Sequence, residues 1–68
     1  MDKFKLEYEM KSRGVSDADM CRELGISRSA FYRKKNGITE FTLGEVQKIV
    51  KVLRLESPAP IFFADMVS

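Results

Sequence analysis

Residues 16–37 read Ser16-Asp17-Ala18-Asp19-Met20-Cys21-Arg22-Glu23-Leu24-Gly25-Ile26-Ser27-Arg28-Ser29-Ala30-Phe31-Tyr32-Arg33-Lys34-Lys35-Asn36-Gly37. Serine hydroxyls accept the free amides that open a helix, so Ser16 and Ser27 read as N-caps. Glycine tolerates the left-handed conformation that closes one, so Gly25 and Gly37 read as stops. The pattern predicts a helix over Asp17–Leu24, a sharp turn through Gly25-Ile26-Ser27, and a second helix over Arg28–Asn36. Ser16 and Asp19 have the spacing of a capping box, although glutamate is the usual partner. Val15, just before the cap, can pack back on the first turn as a hydrophobic staple. Met20, Cys21 and Leu24 share one helical face, and Ile26 and Phe31 point toward it. Arg28, Ser29, Tyr32 and Arg33 are left pointing outward.

The flanking chain is punctuated in the same way. A helix over Lys3–Arg13 ends at Gly14, with Leu6 and Met10 four apart. Phe4, Leu6, Tyr8 and Met10 also alternate as in a strand. Glu7, Glu9 and Lys11 favour the helix. Downstream, Thr42 and Glu45 form a full capping box ahead of an apolar stripe at Leu43, Val46, Ile49, Val50 and Leu53. Lys48, Lys51 and Arg54 lie toward that helix's C-terminus, where the dipole favours cations. Ser57 and Pro58 then open a short fifth helix carrying Ile61, Phe62 and Phe63, since proline at the first helical position loses no hydrogen bond. The expected architecture is all-α: one domain over residues 1–68, a compact bundle of about five short helices.

Composition narrows the chemistry. The 68 residues include no histidine and one cysteine, Cys21, inside an apolar helical pattern. Without histidine or a second thiol there is no basis for a zinc site or a thiol protease, and Cys21 reads as a small core residue. No enzyme, cofactor or small-molecule ligand is expected. No apolar run approaches the ~20 residues of a membrane span, and Met1–Lys5 lack a secretory leader's apolar stretch. The expectation is a soluble, cytoplasmic protein. The net charge is +2, yet residues 24–39 hold Arg28, Arg33, Lys34 and Lys35 with no acid, so the remainder sums to −2. Positive charge focused on one short segment is the footprint expected of nucleic-acid binding.

Two short helices joined by a glycine turn, the second with a basic outer face, make a helix-turn-helix. Residues 16–37 resemble the phage repressor and Cro type of this motif, of the XRE-like, lambda-repressor-like family. Phe41-Thr42-Leu43-Gly44-Glu45-Val46-Gln47-Lys48-Ile49 is similar to that family's fourth helix. Ser57-Pro58 followed by Ile61-Phe62-Phe63 is similar to its fifth. The resemblance implies a double-stranded DNA operator as partner, with the third helix in the major groove. It implies base contacts by Arg28, Ser29 and Arg33, with Tyr32 beside them. Arginine can bond guanine O6 and N7 together, a contact that discriminates by ~1–3 kcal/mol. It further implies phosphate contacts around Ser16, Asp17, Ser27, Lys34, Lys35 and Asn36, the last also readable as a plain helix C-cap.

Two positions depart from the family. Where relatives often carry glutamine, Asp17 would repel phosphate; it could instead pair with Arg28 and orient it, or simply answer the helix dipole. Lys34 stands where many relatives bury a large apolar residue, and its stem can snorkel along the core. Repressors of this type dimerise on half-sites about one turn apart, ~34–36 Å. The apolar C-terminal residues Ile61, Phe62, Phe63, Met66 and Val67 are the expected homodimer surface, against the alternative that Ile61 and one Phe close the core. The functional expectation is a sequence-specific transcriptional regulator, a repressor or Cro-like antagonist. The alternative is a protein-interaction module or antitoxin-like protein on the same fold.

Overall fold

The computed structural model describes residues 1–63, and Met66 and Val67 of the expected dimer surface lie outside them. The described residues form five helices and no strand: α1 (Lys3–Ser12), α2 (Asp17–Leu24), α3 (Arg28–Lys35), α4 (Leu43–Leu53) and α5 (Ala59–Phe62). The alternation in the first segment therefore marks a helix. Leu6 and Met10 are its buried pair, while Phe4 and Tyr8 face outward. Asp2, which the sequence reading passed over, caps α1 by accepting the Lys5 amide at 3.0 Å.

Both capping boxes form. Ser16 Oγ accepts from the Asp19 amide at 3.1 Å, and Asp19 Oδ2 accepts from the Ser16 amide at 3.1 Å, so aspartate suffices at this position. Thr42 and Glu45 make the same reciprocal bonds at 3.1 and 2.8 Å. The fifth helix begins one residue later than expected. Pro58 is its cap residue, although Ser57 Oγ still accepts the Ala59 amide at 3.2 Å.

One core holds the helices. Leu6 and Met10 from α1, Met20, Cys21 and Leu24 from α2, Phe31 from α3, Ile49 and Leu53 from α4 and Ile61 from α5 meet there. Val15, Ile26, Phe41 and Phe62 pack around it, partly buried. The chain closes on itself where the Asp2 amide donates to the Ile61 carbonyl at 2.6 Å, docking α5 on the start of α1. Burying a large apolar side chain contributes ~1.5–3 kcal/mol, and in so small a chain few such side chains can be spared.

Two expectations are corrected. Leu43 is not part of the α4 stripe; at 68% exposed it stands on the first turn, beyond the core that Val46, Ile49 and Leu53 enter. Ile61 offers no surface to a second chain; at 2% exposed it closes its own core. Phe62 packs edge-on against Phe41, with centroids 5.7 Å apart, and is also half-buried.

Candidate nucleic-acid interface

The turn between α2 and α3 sets the interface. Gly25 adopts φ +68, and its amide and that of Ile26 turn back onto the Arg22 and Cys21 carbonyls at 3.3 and 3.1 Å. Ser27 then caps α3, its Oγ accepting from the Ala30 amide at 3.1 Å. Phe31 anchors α3 in the core at 2% exposed, and the opposite side of the helix must face water. Cys21 supports the turn from beneath, with Sγ 3.8 Å from the Ser27 carbonyl oxygen.

On that outer side Arg28, Ser29, Tyr32 and Arg33 are all exposed, and together with Asp17 they line one shallow, open depression. Tyr32 is 62% exposed, too open to be a core aromatic. Among the described residues neither Arg28 nor Arg33 has an acid within ion-pair distance. Their guanidinium groups, always protonated and rich in donors, are thus turned to solvent.

The residues expected to meet phosphate are arranged differently. Ser16 is exposed at the start of α2, but its amide is already taken by Asp19. Backbone and side-chain bonds from Ser16, helped by Arg22, hold the Asp19 carboxyl below its ordinary range. With Asp17 beside it, this end of α2 carries two carboxylates, which oppose the anion attraction of a helix N-terminus. The ion pair of Asp17 is with Lys35, Oδ2 to Nζ 3.5 Å, and not with Arg28, which was one of the two readings the sequence left open.

Lys35 also approaches Glu7 of α1 at 3.6 Å and lies over the Phe31 ring, 5.5 Å from its centroid. Its side chain is 14% exposed, so it is folded back on the protein. Lys34 is likewise committed inward. Its side chain is only 16% exposed, and its ammonium meets Glu45 Oε1 at 2.7 Å. Burial, which alone would raise the Glu45 pKa, is outweighed by bonds from Lys34 and the Thr42 amide. The carboxyl is held below its ordinary 4.5.

Asn36 caps α3 and is tied at both ends of its amide. Its Oδ1 accepts from Lys3 Nζ at 2.8 Å, and its Nδ2 donates to the Tyr32 carbonyl at 2.8 Å. Sequence reasoning found the outer face of α3 because helical periodicity exposes it. It missed the Lys3–Asn36 and Glu7–Lys35 links between α1 and α3, which no local spacing signals.

The described residues contain no group of three metal-ligating side chains, and no helix among them is long and apolar enough to cross a membrane. No curated protein and no solved structure matches the chain. A family model does match, over residues 5–61, which takes in most of α1 through most of α5, the glycine turn and the whole exposed face of α3. With a helix-turn-helix in place and the match spanning nearly its full length, the chain belongs to the Cro/C1-type helix-turn-helix DNA-binding domains.

Proposed function

We propose that this DNA-binding domain is a sequence-specific transcriptional regulator of the phage or prophage repressor kind, acting in the cytoplasm of a bacterial cell. In this reading α3 enters the major groove of an operator, and occupancy of the operator blocks transcription. The observation that carries it is the shared depression of Arg28, Ser29, Tyr32 and Arg33, with both guanidinium groups solvent-facing and without an acid partner among the described residues. Arg28 and Arg33 read guanine edges, and Ser29 and Tyr32 add hydroxyls or contact a thymine methyl. Ser27, at the exposed start of α3, where no acid stands in the first turn, supplies a phosphate contact that sets the register. Lys34, Lys35 and Asn36 serve more to brace α3 than to hold the duplex, because each is engaged inside the protein.

A single module of this size reads few base pairs, so the active species is a two-fold dimer on a palindromic site. With Ile61 in the core, the proposed contact surface is Phe63, the outer edge of Phe62, and Met66 and Val67.

A binding selection on random duplex DNA at two salt concentrations tests the reading. The expected result is a palindromic motif bound more weakly as salt rises, and Arg33→Ala should relax one position of it. Recovery of no motif, even in dilute buffer, overturns the proposal.

A further inference from the structure

The depression on the outer face of α3 contains one residue that a purely cationic reading surface does not need. Asp17 opens α2, yet it does not cap that helix, because Ser16 and Asp19 already make the reciprocal bonds. It buries little, with its side chain 51% exposed. An acid in the first turn answers the dipole of α2, but a free carboxylate facing a phosphate backbone opposes binding.

Asp17 is not free, however. Lys35 Nζ stands 3.5 Å from Oδ2, and Lys35 is itself held by Glu7 at 3.6 Å and by the Phe31 ring beneath it. The ammonium offsets the acid's charge and fixes where it sits, on the same rim as Arg28.

We infer that Asp17 is a base-reading residue, positioned by Lys35, that accepts from the one N4 hydrogen a paired cytosine leaves free in the major groove, beside the base read by Arg28; this rests on the major-groove reading proposed above. The arginines carry donors alone and can read only acceptors on a base edge. A carboxylate supplies the missing acceptor. Cytosine suits it best, because its major-groove edge offers the N4 donor, whereas adenine sets an N7 acceptor next to its amino group and guanine presents two acceptors. Lys35 is then a positioning residue that acts through Asp17, and its loss should change sequence preference as well as affinity.

The test is the same selection on random duplexes, run with the wild-type chain, Asp17→Ala and Lys35→Met. Asp17→Ala leaves the α2 capping box intact. The expected wild-type motif holds a cytosine that Asp17→Ala no longer prefers, a loss of roughly 5- to 150-fold in discrimination at that position with the others kept. Lys35→Met should blur the same position. If Asp17→Ala returns the wild-type motif and binds all sequences more tightly by one common factor, the acid only repels phosphate and the inference is overturned, while the proposed function stands. If Lys35→Met weakens every sequence equally and leaves the cytosine preference intact, the positioning role is overturned. A wild-type chain that selects no motif removes the proposed function and this inference together.

Discussion

At the scale of single residues, backbone handedness decides as much as side-chain chemistry. Gly25 sits at φ +68, and a Cβ built there meets no atom within 4 Å. A substitution is therefore opposed by the left-handed backbone alone and not by a clash. Gly25→Ala should cost about 1–2 kcal/mol, read as a lowered urea midpoint with an unchanged slope. Arg54 is the converse case. It closes α4 at φ 55, a conformation in which glycine is the favoured residue. Arg54→Gly should stabilise the chain by roughly 0.5–1 kcal/mol in the same titration, the relief of left-handed strain outweighing the extra freedom of the unfolded chain. The sequence marked Gly25 as a turn. It marked Arg54 as a cation suited to the helix dipole and gave no sign of the strain beneath it.

At the scale of elements, the Lys34–Glu45 pair ties α3 to the first turn of α4. Both side chains are mostly buried, at 16% and 13% exposed, so this pair is shielded in a way that a surface ion pair is not. Lys34→Met keeps the stem's packing but leaves Glu45 with the Thr42 amide alone. The expected loss is about 1–3 kcal/mol at pH 7. The sign with pH follows from the depressed carboxyl. Its stabilisation is complete above the ordinary value of 4.5 and is lost as pH falls through the lower value in the folded chain. Denaturant titrations from pH 7 down to pH ~3 should show the wild type losing stability on this limb. Lys34→Met, whose Glu45 is held down less firmly, should lose less there, so the two curves converge in acid. Parallel curves would show that Lys34 acts through packing alone. The charge at position 34 was visible in the sequence, but its partner eleven residues away was not.

At the scale of the whole molecule, the five short helices of the described residues share one small core, and each contributes at least one wholly buried side chain. Few residues are redundant in such an arrangement. Leu53→Ala, at a position with 0% exposure, should cost ~2–5 kcal/mol. In a chain with little surface to bury, that is enough to unfold much of the population at 37 °C, a change that circular dichroism melting would register. Assembly is decided at this scale too. Sedimentation should show a concentration-dependent dimer, and Phe63→Ser should shift it toward monomer while leaving the melting of the isolated chain little changed. A chain that stays monomeric at high concentration, both free and on DNA, would remove the two-fold arrangement. Phe4 and Tyr8, 77% and 68% exposed on α1, are more open than the half-buried Phe62 and Phe63.

The sequence by itself determined the helices, the glycine turn, both capping boxes and the exposed identity of Arg28, Ser29, Tyr32 and Arg33. Each of these follows from interactions reaching no more than four residues along the chain, which periodicity and cap chemistry encode directly. Only the tertiary structure decided where the charges of Asp17, Lys34, Lys35 and Asn36 go, and that Ile61 belongs to the core while Leu43 does not. Those outcomes depend on which helix faces which. Lys35 meets Asp17 and Glu7 across eighteen and twenty-eight positions of chain, because packing around Phe31 brings three helices to one point. A lysine aimed at a phosphate and a lysine aimed at a neighbouring carboxylate are written with the same letter, and distance in space, not along the chain, separates them.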